Sequence, residues 1–121
     1  MNHSLEDVVD LERKLATFSE HWQPRTVATF NGHDIMVVKV KGEFVWHSHE
    51  DTDDLFLVLH GNLRIELEDR TVQLGPGQLF VVPRGAAHRP VADEEAHLLL
   101  IEPTGTPNTG DPATAATRRT I

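Results

Sequence analysis

The chain has 121 residues, no cysteine and a formal net charge of −8 at pH 7, because 19 acidic residues outnumber 11 lysines and arginines. Its length suits one folded domain, the lack of cysteine excludes disulfides and thiolate metal sites, and the negative charge disfavours nucleic acid as a partner. No apolar run approaches the ~20 residues that cross a bilayer, and the acidic N-terminus does not resemble a signal peptide. We therefore expect a cytoplasmic protein with no nucleic-acid and no membrane partner.

The first predicted element is a short helix over residues 4–18. Ser4 followed three residues later by Asp7 fits a capping box. Apolar residues then recur at helical spacing, at Leu5, Val8, Leu11, Leu15 and Phe18. Pro24 ends this segment, so we assign residues 1–24 to an N-terminal helical region.

After Pro24 the sequence changes to short β-type runs separated by Gly, Asn, Asp or Pro. The predicted strands are Thr26–Phe30, Asp34–Lys41, Glu43–His47, Asp54–His60, Leu63–Glu68, Thr71–Leu74, Gln78–Val82, Ala87–Val91 and Ala96–Glu102. Many short strands bounded by turn residues are typical of an all-β sandwich or barrel. We assign residues 25–102 to this barrel and residues 103–121, which have too few apolar residues for a core, to a flexible C-terminal arm or a segment that wraps over the domain.

Three of the eight histidines lie where they could share one site with an acid. His47 and His49 are two residues apart, so their side chains would point the same way on a strand. Asp54 begins the next predicted strand, and His88 follows much later. Imidazole and carboxylate together suit a first-row metal ion. A His-x-His pair alone is weak evidence, a lone histidine is more often structural, and the acidic run 50–54 is typical of a solvated loop.

The residues that frame these groups resemble two motifs of the cupin family. Gly42-x4-His47-x-His49-x4-Asp54-x6-Gly61 is similar to the first motif, and Gly77-x5-Pro83-x-Gly85-x2-His88 is similar to the second. Fifteen residues separate the two motifs, a short spacing similar to that of small single-domain cupins of the mannose-6-phosphate-isomerase-like group. The resemblance covers about residues 25–102.

This resemblance implies a double-stranded β-helix, or jelly roll, that holds one divalent metal ion (Mn, Fe, Ni or Zn) inside the barrel. It also implies the metal ligands, which are His47, His49, Asp54 and His88. The family usually has Glu where this chain has Asp54. Because Asp is one methylene shorter, we expect a longer metal–oxygen bond, a bridging water, or an ion displaced toward the histidines.

Side-chain alternation along the predicted strands indicates a pocket beside these ligands. The residues predicted to line it are Glu43, Val45, Phe56, Val58, Phe80 and Val82. An apolar pocket with a few polar groups is the usual form of a small-molecule site. Three basic residues are candidates for holding an anionic substrate, although each is more often a solvated charge: Lys39, Arg84 and Arg89.

The opposite faces of the same strands are apolar and indicate a homodimer. The residues expected at the interface are Phe44, Trp46, Leu55, Leu57 and Leu59. Together they would expose more apolar surface than a monomer normally leaves open. For the three leucines, packing against the N-terminal helix is an equally good interpretation.

Three classes of function fit this pattern. The first is a metal-dependent enzyme, an isomerase, lyase or dioxygenase, that acts on a small oxygenated molecule. The second is a non-catalytic module that binds or senses a small ligand, and the third is a barrel whose metal is only structural. The fold does not choose among them. We expect the enzyme, with no catalytic residue assigned beyond the metal ligands.

Overall fold

The computed structural model describes residues 8–121, which form a short helix and an eight-stranded all-β jelly-roll barrel. The elements are α1 (Leu11–Leu15), β1 (Arg25–Phe30), β2 (His33–Glu43), β3 (Asp54–His60), β4 (Leu63–Leu67), β5 (Thr71–Leu74), β6 (Leu79–Val82), β7 (His88–Pro103) and β8 (Arg119–Thr120). The predicted fold class is confirmed.

Helix α1 is shorter than the helix predicted over residues 4–18. Asp10 caps it by accepting a hydrogen bond from the Arg13 backbone N–H at 3.2 Å. Leu15 is its buried residue and packs in an apolar cluster with Val27 and Val37 outside the barrel core. The predicted cap at Ser4 lies outside the described residues. Across residues 8–121, no helix has the length and apolar character to cross a membrane.

Strand β7 is the centre of the barrel because it pairs with β2, β3 and β4, all in the antiparallel direction. The remaining pairs are β1 with β2, β4 with β5, β3 with β6, and β1 with β8. Inward-facing side chains of these strands fill the core with apolar residues that are almost fully buried, among them Met36, Val58, Ile65 and Leu98.

Three predicted strands differ from the structure in more than their bounds. The strand predicted over Glu43–His47 does not form, because β2 ends at Glu43 and only His47 makes a β-bridge, to His88. The strands predicted over Ala87–Val91 and Ala96–Glu102 are one continuous strand of 16 residues. The acidic run between them resembles a turn in the sequence, yet it stays extended with its side chains exposed.

The C-terminal arm, residues 103–121, lies back against the barrel. Strand β8 pairs with β1 in parallel. Arg118 donates hydrogen bonds to Asp34 Oδ2 at 3.1 Å and to the Thr106 carbonyl at 2.6 Å. Asn108 donates to the Trp22 carbonyl at 3.4 Å. The arm therefore wraps over the barrel.

Candidate metal centre

Three imidazoles converge on one carboxylate oxygen inside the barrel. Asp54 Oδ2 lies 2.9 Å from His88 Nε2, 3.3 Å from His49 Nε2 and 3.9 Å from His47 Nε2. The four side chains are nearly inaccessible, with exposed fractions of 1% to 6%. Each offers one ligand atom, and these atoms all lie within 4.8 Å of one another. The structure thus brings together the four residues that the sequence singled out.

Backbone carbonyls orient two of the imidazole rings. His47 Nδ1 lies 2.9 Å from the Val45 carbonyl, and His88 Nδ1 lies 2.9 Å from the Ala86 carbonyl. A carbonyl only accepts hydrogen bonds, so each Nδ1 carries the proton and donates it. With its proton on Nδ1, a ring in this orientation can present the Nε2 lone pair to the centre, which is how metal-binding histidines are commonly oriented.

Backbone hydrogen bonds join the two sequence motifs beside the histidines. His47 N–H donates to the His88 carbonyl at 3.1 Å, and His88 N–H donates to the His47 carbonyl at 2.9 Å. Gly85 N–H donates to the His49 carbonyl at 2.8 Å. Asp53, the neighbour of Asp54, accepts a bond from the Arg84 backbone N–H at 2.9 Å and so lies outside the ligand set.

The electrostatics of the cluster favour a cation at its centre. Burial lowers the pKa of His47 to about 4, so this ring is neutral at physiological pH and its nitrogen is free to bind. Burial acts against the charge of Asp54, but the adjacent His49 and His88 imidazoles outweigh it and lower the Asp54 pKa. For His49, burial is outweighed by the bond to Asp54, which raises the pKa of that imidazole.

The four clustered side chains form a donor set that could hold one first-row metal ion. Ligands on opposite sides of an ion at about 2.1 Å are separated by about 4.2 Å, and all three distances from Asp54 Oδ2 are shorter than this. The Asp54 carboxylate therefore lies close to all three rings without the extra methylene of Glu. The expected lengthening of the metal–oxygen bond stays a prediction. Three nitrogens and one oxygen suit Mn, Fe, Ni or Zn.

A small cavity of about 40 Å³ borders the centre. Water occupies about 30 Å³ in the liquid, so the cavity holds one or two water-sized groups. It is lined by Trp22, Pro24, Val38, Val40, Phe44, His47, Asp54, Phe56, Pro90, Leu98, Leu100, Glu102 and Asn108. Most of these side chains are apolar, so the few polar atoms among them would fix the orientation of a bound molecule.

The structure places most of the predicted pocket residues elsewhere. Phe56 lines the cavity, whereas Val58 and Val82 are buried in the barrel core. Phe80 packs at the edge of the core, with the Arg70 guanidinium 5.7 Å from its ring centre. Glu43 and Val45 are exposed, because the strand that would have turned them inward ends at Glu43.

The three basic residues considered for an anionic substrate have other partners. Lys39 Nζ donates to the Phe18 carbonyl at 2.6 Å. Arg89 forms ion pairs with Glu66 and Glu43. Arg84 is exposed, and none of the three lines the cavity beside the histidines.

The polar and aromatic cavity residues that the sequence did not predict at the pocket include Trp22, Phe44, Glu102 and Asn108. Phe44, predicted to face outward, instead stacks on Trp22 with ring centres 4.8 Å apart. Trp22 and Asn108 come from segments without regular alternation, so the sequence carried no signal for them. The sequence did contain a signal for Glu102, because this residue continues the inward-facing series Ala96, Leu98 and Leu100.

Glu102 is a buried acid that does not belong to the group of His47, His49, Asp54 and His88. It is 2% exposed, and burial followed by the charge of Asp54 raises its pKa to about 7. Its Oε1 lies 3.9 Å from Arg118 Nη2. Its Oε2 is buried and has no hydrogen-bond partner among the described residues.

A groove of about 300 Å³ lies on the outer side of His49, between the loop after that residue and the C-terminal arm. This volume is at the lower end of ligand-binding sites. A larger groove of about 710 Å³ between β1 and the arm contains none of the four clustered residues. Of these two grooves, only the one at His49 borders a clustered residue.

The jelly-roll fold and the two histidine motifs are those expected of a cupin, and the comparison with known families agrees. The family described as "Cupin domain" matches residues 34–102, which is more than half of the chain, so the protein belongs to the cupins. Among curated proteins, it is 33% identical over 81 residues to the uncharacterized protein YdbB of Bacillus subtilis (strain 168), a match that covers 66% of each chain.

Solved structures show the same fold. A cupin-2 domain containing protein from Shewanella frigidimarina NCIMB 400 is 42% identical, with a TM-score of 0.80 over 81% of this chain and 96% of that one. Hydroquinone 1,2-dioxygenase from Sphingomonas sp. TTNP3, solved with 4-hydroxybenzoate bound, is 17% identical, with a TM-score of 0.67 over 89% of this chain and 75% of that one. At that identity, the second likeness concerns the fold alone.

Proposed function

We propose that this cupin is a metal-dependent enzyme that acts on a small oxygenated molecule. The observation that carries the proposal is the convergence of three Nε2 atoms on Asp54 Oδ2 beside a small, mostly apolar cavity. Four protein ligands leave positions open on a six-coordinate ion. When bound, the ion would supply Lewis-acid chemistry, or redox chemistry if it is iron.

The residues of the chain would hold the ion and keep the site dry. His47, His49, Asp54 and His88 are the proposed ligands, with two rings fixed by the Val45 and Ala86 carbonyls. The stacked rings of Trp22 and Phe44 cover the cavity and would exclude water from a bound molecule. Such exclusion strengthens electrostatic interactions within the site.

The reaction classes that this arrangement supports are isomerisation or elimination next to a carbonyl group, and dioxygenation. The first two need a titratable group near the ion, and Glu102 lines the same cavity. Dioxygenation is suggested by analogy with the hydroquinone dioxygenase that shares the fold. The small cavity volume also favours a second candidate, a module that binds a small ligand without turnover.

The test begins with metal content. Purified wild-type protein should carry about one divalent ion per chain, and the double variant His47→Ala/His49→Ala should carry none. His33→Ala is the matched control, because His33 is an exposed histidine outside the cluster. Unchanged metal content in a folded double variant would refute the metal centre.

Turnover is measured next on the loaded protein. Small hydroxycarbonyl compounds are followed by proton NMR without oxygen, and diphenols are followed by oxygen uptake. Conversion that disappears in the double variant supports the enzyme. Saturable binding of these compounds without conversion supports the binding module instead.

We also propose a homodimer, formed through the outer face of β3 and β6. Leu55 pairs with Val81 and Leu57 pairs with Leu79 on this face. Leu79 and Val81 are exposed by 57% and 40%. Leu59 packs in the cluster around α1, and Phe44 lies against Trp22, so neither belongs to the proposed interface.

A further inference from the structure

Glu102 lies next to Asp54 across two paired strands. Phe56 of β3 pairs with Leu100 of β7, and Leu55 pairs with Ile101. The same register, continued by one pair, sets Asp54 beside Glu102. Both side chains are buried and both line the small cavity. The structure therefore brings a second carboxyl group to the edge of the metal centre.

The two oxygens of Glu102 have different surroundings. Oε1 forms a loose ion pair with Arg118, with 3.9 Å between the charged atoms. Oε2 is the buried side-chain oxygen that lacks a hydrogen-bond partner within residues 8–121. A buried polar atom left in this state costs about 1–3 kcal/mol, so native structures rarely keep one unless a ligand or water satisfies it.

Glu102 lies close to the proposed ligands without being one of the four. The group whose ligand atoms lie within 4.8 Å of one another consists of His47, His49, Asp54 and His88. A partner for Glu102 would therefore be a molecule in the cavity beside the ion, rather than the ion itself. The cavity accommodates only one or two atoms of such a molecule next to Glu102.

We propose that Glu102 is a ligand-contacting residue, whose free Oε2 forms a hydrogen bond with the hydroxyl group of a small hydroxy acid or hydroxycarbonyl compound. This inference rests on the proposed metal centre. A hydroxyl group both donates and accepts hydrogen bonds. It therefore pairs with Glu102 in either protonation state, whereas a ligand carboxylate placed against Oε2 would be repelled by ionised Glu102.

The experiment compares two probes, glycolate and acetate, on Co²⁺-loaded protein. Both bring the same carboxylate charge, and only glycolate has a hydroxyl group. Binding is followed through the Co²⁺ absorption spectrum. We expect Glu102→Met to lower the ratio of glycolate to acetate affinity about tenfold, which is the contribution of one hydrogen bond to a charged or polar partner. Glu102→Gln keeps a hydrogen-bonding group and should stay within about twofold of wild type.

The control variant is Glu95→Gln, since Glu95 is an exposed glutamate on the same strand. It should leave the affinity ratio unchanged. A second measurement uses wild-type protein and does not depend on the Met variant folding. In infrared difference spectra, glycolate but not acetate should shift a glutamate carboxyl band that is absent from Glu102→Gln.

An affinity ratio that is the same in wild type and folded Glu102→Met, or an unshifted carboxyl band, overturns the role of Glu102. Failure of glycolate to bind the loaded wild-type protein overturns it as well. Wild-type protein that takes up no Co²⁺ overturns the metal centre and, with it, this inference. Co²⁺ uptake is measured first, so the two failures are distinguished.

Discussion

Asp54 is the single acid among the four clustered side chains, and its contribution can be isolated. Replacing it with Asn keeps the shape but removes the charge that faces the three imidazoles. We predict that Asp54→Asn weakens metal binding by at least about 100-fold, since even groups outside the ligand shell contribute 10–100-fold. A competitive chelator titration measures this loss.

Asp53 provides the matched control. Its Oδ1 accepts a bond from the Arg84 backbone N–H, a role that the Asn amide oxygen can also fill. Asp53→Asn should therefore bind metal like wild type. Equal affinity of both variants and wild type would show that the centre consists of histidines alone.

Extending Asp54 by one methylene should not tighten the site. Its Oδ2 already lies within 3.9 Å of all three Nε2 atoms, and the cavity beside it is only about 40 Å³. We predict that Asp54→Glu costs about 1–3 kcal/mol of stability through overpacking, without a gain in metal affinity. Chemical denaturation and the same chelator titration test both parts. A variant that is stable and binds tighter would support the view that Asp54 is too short.

Two buried groups make opposite contributions to the pH dependence of the metal-free protein. His47 has a folded pKa of about 4 against an ordinary value of 6.5, so the unfolded chain binds more protons between these values and stability rises with pH. Glu102 has a folded pKa of about 7 against 4.5, so the folded chain binds more protons and stability falls as pH rises through that range.

Glu102→Gln should remove one of these opposing contributions. Between pH 4.5 and 7, the variant should gain stability relative to wild type, by up to ~3 kcal/mol at the upper end, because one pKa unit corresponds to about 1.4 kcal/mol. Urea unfolding of both metal-free proteins across this range measures the difference. Parallel stability curves would show that Glu102 titrates normally.

The four clustered residues were predictable because their spacing relative to glycine and proline resembles the two cupin motifs, which imply this set. Glu102 was not singled out, although its alternation with Leu98 and Leu100 turns it inward. Its importance depends on Asp54 lying opposite, and that register between distant strands cannot be read from local sequence. Trp22 and Asn108 reach the cavity from irregular segments, where no periodicity applies.

At the level of elements, the C-terminal arm is held by a partly buried ion pair. Arg118 contacts Asp34 at 3.1 Å, with exposed fractions of 18% and 9% for the two side chains. We predict that Arg118→Ala destabilises the protein by about 2–4 kcal/mol, because removing one partner leaves the other charge buried. Denaturant unfolding measures the loss. The exposed neighbour Arg119 is the control, and a similar effect of Arg119→Ala would contradict this explanation.

Strand prediction succeeded where turn residues bound an alternating run, as for Asp54–His60 and Thr71–Leu74. It failed at Glu43–His47, because Phe44 leaves the strand to stack on Trp22 and His47 keeps only a single bridge. It also divided β7 in two, because an acidic run that stays extended in the barrel has the composition of a loop. In both places, tertiary contacts outweigh the conformational preference of the local sequence.

On the scale of the whole molecule, the proposed dimer makes a direct prediction. Light scattering at micromolar concentration should give twice the mass of one chain. The double variant Leu79→Asp/Val81→Asp should give a single-chain mass, because it places charges in the centre of the exposed apolar face. Phe30→Asp, which changes another exposed apolar residue, should remain dimeric. A monomeric wild type would refute the proposal.

The central position of β7 also determines when the protein can fold during its synthesis. The three strands that pair with β7 precede it in the chain, and none of them pairs with another of the three. Until residue 103 has left the ribosome, each of these strands retains an open edge of the kind that promotes aggregation. His88, the first residue of β7, joins the other three clustered side chains only at this stage. Closure of the barrel and assembly of the cluster of three histidines and Asp54 therefore both depend on the synthesis of β7.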